Sequence, residues 1–176
     1  MKVLVVALNV AGWPLIQLSL SALFLRMPDA WFAGDSWLTR ERGFEKEGLF
    51  YRRFLMMQQW KGLLPDGASW LGGRPKNNVA SRTASELTTF AIETRRAEIA
   101  HWCMLLFTPL FYTWNPVWAS IVMTTYGLAA NLPCILVQRA NRIKVARILR
   151  RSHPVGETTS ALVSSPGFGT SYVPRR

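Results

Sequence analysis

The sequence predicts an all-α integral membrane protein with about three transmembrane helices, one N-terminal and two in a hairpin, plus a cytoplasmic interfacial amphipathic helix. Three observations predict this class. The run Val3–Leu25 contains no charge, and the block His101–Gln138 contains none apart from a possible charge on the histidine itself. One membrane crossing requires about 20 apolar residues, a length over which soluble helices rarely stay uncharged. Of the 21 Lys and Arg, 12 lie in 26–96 and 8 in 139–176, outside both blocks.

The first uncharged run predicts a transmembrane helix at residues 3–25. Its apolar stretch is longer than the ~7–15 residues of a signal peptide, and no clear small-x-small cleavage site precedes Arg26. We therefore expect the helix to be retained. Cleavage is the open alternative, and it would leave only the hairpin in the membrane.

In the segment 43–64, the apolar residues Phe50, Phe54, Met57 and Trp60 recur at helical spacing. They form an apolar stripe beside a basic face. This pattern is typical of a helix that lies in the headgroup layer. A helix packed on the cytoplasmic end of the hairpin is an equal alternative. Both interpretations keep the segment beside the membrane.

The second uncharged block is about twice as long as one crossing, with Asn115-Pro116 near its middle. Proline cannot continue a helix, and the residue before it avoids helical angles, so this dipeptide predicts a tight turn. The block is therefore a predicted hairpin with arms at 97–114 and 117–138. Pro109 is expected to kink the first arm, whose helix begins at a capping box formed by Thr83 and Glu86.

Residues 1–151 form one predicted membrane-embedded domain, and residues 152–176 form a predicted disordered, basic tail. With three crossings, both basic segments lie on one side, which the positive-inside rule makes cytoplasmic. We expect a multi-pass cell-membrane protein with its N-terminus outside and its central loop and C-terminus in the cytoplasm. The net charge of +11 then faces membrane lipids and not nucleic acid. The oligomeric state is not predicted.

Polar residues gather at the cytoplasmic end of both hairpin arms. Glu98 and His101 lie three residues apart on one helix face, where the carboxylate can orient the imidazole. The hairpin turn places His101 beside Asn131, and it places Glu93 level with Gln138. Ionisable groups at membrane depth are costly and are usually functional.

Two structural interpretations of this cluster stay open. Glu93 with Arg139 or Arg142 can be an ion pair that locks the hairpin, and His101 with Glu98 can be a satisfied interfacial pair. A metal half-site on the Glu-x-x-His spacing lacks a duplicate motif, so no metal is expected. The sequence has no Gly-x-Ser-x-Gly motif, which excludes an α/β-hydrolase mechanism.

Two motifs in the hairpin arms carry a family resemblance: Glu93-Thr94-Arg95-Arg96-Ala97-Glu98-x-x-His101-Trp102, and Ala130-Asn131-Leu132-Pro133 leading to Val137-Gln138-Arg139-x-Asn141-Arg142. Upstream lie Gly43-Phe44-Glu45-Lys46-x-Gly48-x-Phe50 and Trp60-Lys61-x-x-x-Pro65-Asp66-Gly67. Over roughly Trp13 to Arg151, the chain resembles the glycosyl-4,4'-diaponeurosporenoate acyltransferase family. One departure is Ala140, where the family more often has an aromatic residue.

The resemblance implies a membrane O-acyltransferase. It would move a fatty acyl group from an acyl thioester, either acyl-CoA or an acyl-carrier thioester, to a sugar hydroxyl of a glycosylated carotenoid or related glycolipid. No further cofactor is expected. The alternative is a non-enzymatic membrane assembly or lipid-binding subunit of a glycolipid pathway, in which the polar cluster is a structural lock.

Chemistry assigns the roles within that reaction. His101 is the predicted base, Glu98 orients it, and Asn131 hydrogen-bonds the sugar or the developing oxyanion. The predicted substrate-binding residues are Glu93, Arg95, Arg96, Gln138, Arg139, Asn141 and Arg142. The four arginines are expected to bind the phosphate of the acyl carrier.

Overall fold

The computed structural model describes residues 2–60 and 83–152, which form helices and turns without a strand. This confirms the all-α class. The α-helices are α1 (Lys2–Arg26), α2 (Leu49–Arg53), α3 (Met57–Trp60), α4 (Ala84–Leu106) and α5 (Val117–Ser152). The 3-10 helices are Asp29–Phe32, Gly43–Gly48 and Thr108–Thr113. The predicted tail beyond Ser152 and the end of the segment 43–64 lie outside the described residues.

Helices α4 and α5 form the predicted antiparallel hairpin. At the basic end, Leu87, Phe90 and Ala91 of α4 pack against Val145 of α5. The predicted capping box starts α4, because Thr83 Oγ1 accepts from the Glu86 amide at 3.3 Å and the Glu86 carboxylate accepts from the Thr83 amide at 2.7 Å. The two helices thus run alongside each other from the turn to the basic end.

The first arm of the hairpin is not one continuous helix to residue 114. α4 ends at Leu106, and the 3-10 helix Thr108–Thr113 follows it. Pro109 lies in the first turn of that 3-10 helix, where its missing N–H removes no hydrogen bond. The proline therefore ends the α-helix where a kink was expected.

The second arm is longer than predicted. α5 continues as one helix past residue 138 to Ser152, with Pro133 inside it. The extension is amphipathic, because Val145 is buried against α4 and Ile148 and Leu149 pack on the same cluster, while Lys144 is exposed. Tertiary packing of this apolar face stabilises the helix beyond the uncharged block.

Helix α1 packs against the hairpin near the turn. The Trp13 ring stacks on Phe111 with centroids 5.1 Å apart, and its Nε1 donates to the Met123 carbonyl at 3.1 Å. Gly127 makes room for this ring, since a Cβ there would lie 2.2 Å from Trp13 Cζ2. Asn9 and Asn115 hydrogen-bond at 2.8 Å. The start of α1 and the hairpin turn therefore lie at the same end of the bundle.

The segment 43–64 is not one amphipathic helix. A 3-10 helix, α2 and α3 follow one another, and Met56, at φ 45°, separates α2 from α3. Tyr51 and Met57 are buried against Ile143 of α5. This is the packing of the second interpretation, in which the segment rests on the basic end of the hairpin.

Two described helices are long and apolar enough to cross a membrane, namely Val3–Arg26 and Val117–Arg151. The prediction of three crossings is therefore not matched in number, because α4 carries five charged residues. Large apolar side chains are exposed along α1 and the first half of α5: Val3, Leu4, Val6, Val10, Leu15, Leu18, Val117, Trp118, Ile121 and Val122. A soluble monomer rarely exposes so much apolar surface, so this exterior is compatible with membrane association.

Candidate functional site

The predicted pair of His101 on α4 and Asn131 on α5 forms in the structure. His101 Nδ1 lies 2.9 Å from Asn131 Oδ1, and Asn131 is fully buried. Counting residues from the turn predicted this contact, because each residue advances a helix by about 1.5 Å and both residues lie at nearly equal distance from Asn115-Pro116. The two hairpin arms therefore do present polar side chains to each other.

The surroundings of Asn131 fix the tautomer of the imidazole. Asn131 Nδ2 donates to the Gly127 carbonyl at 2.9 Å, which can only accept. The amide oxygen is therefore the atom that faces His101, and that oxygen can only accept as well. A neutral His101 must then carry its proton on Nδ1, which leaves the ring lone pair on Nε2.

Glu98 does not orient His101 as predicted. Its fully buried carboxylate accepts from Arg139 Nη1 at 2.7 Å and from Arg142 Nη1 at 2.6 Å. The group that holds the imidazole is Asn131, whose predicted contact was with the sugar or the oxyanion. Glu98 instead joins α4 to α5 one turn closer to the basic end.

Side-chain direction explains why Glu98 and not Glu93 meets these arginines. Helical side chains lean toward the N-terminus of their own helix. In an antiparallel pair, Glu98 therefore leans toward the basic end, and Arg139 and Arg142 lean toward the turn. Counted along the backbone, Glu98 lies closer to the turn than Arg139 and Arg142 do. The long arginine side chains bridge this axial distance.

A second carboxylate, from Glu45, completes this buried cluster, although the sequence analysis gave it no role. Arg139 donates from Nε to Glu45 Oε1 and from Nη2 to Glu45 Oε2, both at 3.0 Å. Glu45 is fully buried and also accepts from the Tyr51 hydroxyl and from the Arg42 amide. Two carboxylates, of Glu45 and Glu98, thus balance two guanidinium groups, and we call these four side chains with Tyr51 the four-charge network.

Backbone carbonyls of the segment before Glu45 satisfy the remaining donors. Arg139 donates to the carbonyls of Leu38 at 2.8 Å and Arg40 at 3.0 Å, and Arg142 donates to the carbonyl of Thr39. The segment 38–51 therefore wraps over α5 through hydrogen bonds to charged groups. The only sequence signal for it was Glu45 within a family motif, in a chain with 10 acidic residues against 21 basic ones.

The network shifts the ionisation of its members outside the hairpin. Burial raises the pKa of Glu45, but hydrogen bonds from Arg139, Tyr51 and the Arg42 amide outweigh burial and hold the pKa below its usual value. Burial and the adjacent Glu45 carboxylate raise the pKa of Tyr51 above its usual value, so the phenol stays protonated. Glu45 is therefore held as a carboxylate and Tyr51 as a neutral phenol.

The other predicted substrate-binding residues of α4 also have partners within the chain. Arg95 Nε bonds Asp35 at 2.8 Å, and Arg96 bonds Glu93 at 2.7 Å and Asp29. Glu93 thus pairs with Arg96 on its own helix. Its position level with Gln138 had predicted a contact across the hairpin with Gln138 or Arg139, and that contact does not form. All four arginines predicted to bind phosphate are paired with carboxylates.

Gln138 and Asn141 lie on different sides of α5. Gln138 is buried one turn before Arg142 on the same helix face. Asn141 lines a cavity between α5 and the α2–α3 segment, together with Lys144. Among the described residues, no group of three or more His, Cys, Asp and Glu could hold a metal ion.

Comparison with known proteins identifies the chain. The model of the glycosyl-4,4'-diaponeurosporenoate acyltransferase family matches residues 34–151. The chain belongs to this family. Two relatives of that name come from Staphylococcus aureus: the strain Newman protein is 29% identical over 146 residues, covering 82% of this chain and 88% of the relative. The strain RF122 / ET3-1 protein is 29% identical over 139 residues, covering 78% and 84%. No solved structure matches.

Membership confirms the resemblance seen in the motifs and makes this chain an acyltransferase. The matched range contains the His101–Asn131 pair and the whole four-charge network. It begins after α1, so the family pattern centres on the hairpin and the segment wrapped over its basic end.

Proposed function

We propose that this chain is a multi-pass membrane O-acyltransferase that moves a fatty acyl group from an acyl thioester to a sugar hydroxyl of a glycosylated carotenoid. The names of the relatives support a glycosylated carotenoid as the acceptor. The single observation that supports the chemistry is the His101–Asn131 contact, because it holds an imidazole in one tautomer at the hairpin interface.

In the proposed reaction, His101 Nε2 takes the proton of the sugar hydroxyl as its oxygen attacks the thioester carbonyl carbon. The tetrahedral intermediate collapses, the carbon–sulfur bond breaks, and the imidazolium returns the proton to the departing thiolate. Histidine suits both steps because it exchanges a proton near neutral pH. Asn131 is the orienting residue, which replaces the role first assigned to Glu98.

The fold supports membrane action with the basic end in the cytoplasm. Exposed apolar side chains on α1 and α5 would face lipid, where an acyl chain and a carotenoid are both soluble. The exposed basic residues beyond residue 139 lie at the end opposite the hairpin turn, as the positive-inside rule requires for a cytoplasmic side. A water-soluble thioester donor would then approach from the cytoplasm.

The test compares ester formation by His101→Ala and the wild type, using a glycosylated carotenoid and acyl-CoA in membranes with matched protein levels. We expect His101→Ala to lose about 10²–10⁴-fold in turnover, the usual contribution of a general base. Cys103→Ala, on the same helix, is the matched control and should retain activity. Near-normal turnover by His101→Ala would refute the base, and absence of ester with the wild type would refute the reaction.

A further inference from the structure

A basic cavity lies beside the four-charge network and outside the His101–Asn131 pair. It measures about 210 Å³ and lies between the α2–α3 segment and the last part of α5. Its walls carry three cations and two amide side chains: Arg52, Lys144, Arg147, Gln58 and Asn141. Of the described residues that line it, none is acidic.

Two cations of this cavity, Arg52 and Lys144, differ from the arginines of the hairpin interface. Arg139 and Arg142 are neutralised by buried carboxylates. Arg52 and Lys144 are exposed and have no hydrogen bond or ion pair to any residue that the structure describes. The positive charge of Arg52 and Lys144 on this concave surface attracts anions, and Arg and Lys are the usual phosphate ligands.

The size of the cavity limits what it can hold. Pockets that enclose a whole ligand measure about 300–1,000 Å³. A cavity of about 210 Å³ therefore accommodates the charged end of a longer molecule. The rest of that molecule has to extend along the protein surface.

The axial interval along α5 between Asn131, the partner of His101, and the near end of the cavity is close to the length of one such molecule. Asn141 and Lys144 lie ten and thirteen residues beyond Asn131 on α5, about 15 and 20 Å along the helix axis at about 1.5 Å per residue. A pantetheine arm has about 13 bonds between sulfur and phosphorus, the backbone length of about four residues, or roughly 15 Å when extended. Fully extended, the arm matches the axial interval from Asn131 to Asn141 but not that to Lys144, so the phosphate would lie at the end of the cavity nearest Asn141.

We propose that this cavity binds the phosphate end of a phosphopantetheine thioester donor. Arg52 and Lys144 provide the charge, and Asn141 and Gln58 can donate further hydrogen bonds. The inference rests on the proposed thioester donor. The same phosphopantetheine chemistry occurs in coenzyme A and in an acyl-carrier protein, and the test below separates these two sources.

The first experiment measures binding without turnover. Full-length protein in nanodiscs of zwitterionic lipid is titrated with coenzyme A, with phosphate-free pantetheine, and with a phosphopantetheinylated carrier protein. Arg52→Gln and Lys144→Gln should each weaken phosphopantetheine binding about tenfold, as expected for one charge-assisted contact. Arg53→Gln is the matched control, because this exposed neighbour on α2 does not line the cavity.

Each outcome of this titration decides the proposal. Tight binding of coenzyme A identifies the free cofactor as the source, and tight binding of the carrier protein alone identifies that protein, provided that Arg52→Gln weakens it. Equal affinity of wild type and both variants overturns the proposal, as does pantetheine binding as tightly as coenzyme A. Lys144→Arg should restore affinity, which excludes a loss through misfolding.

The second experiment separates this inference from the proposed function. In acyl transfer from acyl-CoA or the acylated carrier protein, Arg52→Gln should raise KM for the donor about tenfold and leave kcat near the wild-type value. Unchanged KM in a working enzyme refutes the cavity and leaves the reaction standing. Phosphate-dependent binding without any ester product refutes the reaction and leaves the cavity standing.

Discussion

Replacing Glu98 by Gln tests whether this carboxylate locks the hairpin or takes part in the chemistry. The wild-type network contains two carboxylates and two guanidinium groups, all at least nine-tenths buried. Glu98→Gln leaves the Glu45 carboxylate against two cations. Arg139 keeps its two-point contact with Glu45, whereas Arg142 keeps, among the described residues, the carbonyl of Thr39 alone.

The size of the effect follows from this uncompensated charge. Removing one partner of a buried ion pair costs about 3–5 kcal/mol of unfolding free energy, and the introduced amide would turn a donor toward a guanidinium. In a chain of this length, that loss corresponds to a fall in Tm of roughly 6–20 °C. Glu98→Gln/Arg142→Gln restores neutrality and should recover part of the loss, since neighbouring charges couple by about 0.5–3 kcal/mol.

The assay is thermal unfolding of purified protein in detergent, with acyl transfer measured per folded molecule. Glu41→Gln is the matched control, because Glu41 pairs with Arg150 at 3.9 Å on the surface, and such a pair contributes about 1 kcal/mol at most. We expect Glu98→Gln to lose stability while the folded fraction keeps its turnover. Wild-type Tm combined with abolished turnover would refute this reasoning and restore Glu98 to the reaction.

Three further predictions follow from the described contacts. Asn131→Leu removes the acceptor that fixes the His101 tautomer, so kcat should fall at least about tenfold with an unchanged donor KM; an unaltered kcat contradicts the orienting role. Gly127→Ala brings a Cβ against the Trp13 ring, and this overpacking should lower the free energy of unfolding by about 1–3 kcal/mol. A thermal melt measures the loss, and adding Trp13→Leu to the same chain should relieve it. The pKa of Glu45 is lowered in the fold, so its stabilising contribution is present above about pH 4.5 and is lost as the pH falls further; Tm measured against pH should show this acid slope in the wild type and a smaller one in Glu45→Gln.

The sequence predicted those parts of the fold that depend on helix periodicity and charge. A long uncharged run can be recognised from its own residues, without knowing what it packs against. The predicted helix 3–25 is accordingly found as α1, Lys2–Arg26. The contact between His101 and Asn131 was predictable because axial rise is the same in every α-helix and the turn at Asn115-Pro116 sets the origin. Pro109 indicated a break, but its position in the first turn of a 3-10 helix depends on packing.

The partners of the charged residues were not predictable in the same way. An arginine side chain reaches well over one helical turn, so Arg139 and Arg142 each had several carboxylates in range. The one that completes the network, Glu45, lies 94 positions from Arg139 in the sequence and belongs to a short 3-10 helix. The helix break at Met56 also had no sign in the sequence, because methionine rarely adopts a positive φ. The break accompanies the packing of Tyr51 and Met57 against α5, which a sequence pattern does not show.

The four-charge network and the His101–Asn131 pair depend on the same alignment of α4 and α5. Apolar contacts in lipid give little preference for one axial position, because every turn offers similar apolar side chains and lipid itself is apolar. A slip by one helical turn, about 5.4 Å, would separate Glu98 from Arg142 and His101 from Asn131 together. The slipped hairpin would expose unpaired charges to the interior, so the network makes that arrangement far less stable than the aligned one. The four-charge network and the proposed reaction centre are therefore successive turns of one interface, and the network holds the His101–Asn131 pair in register.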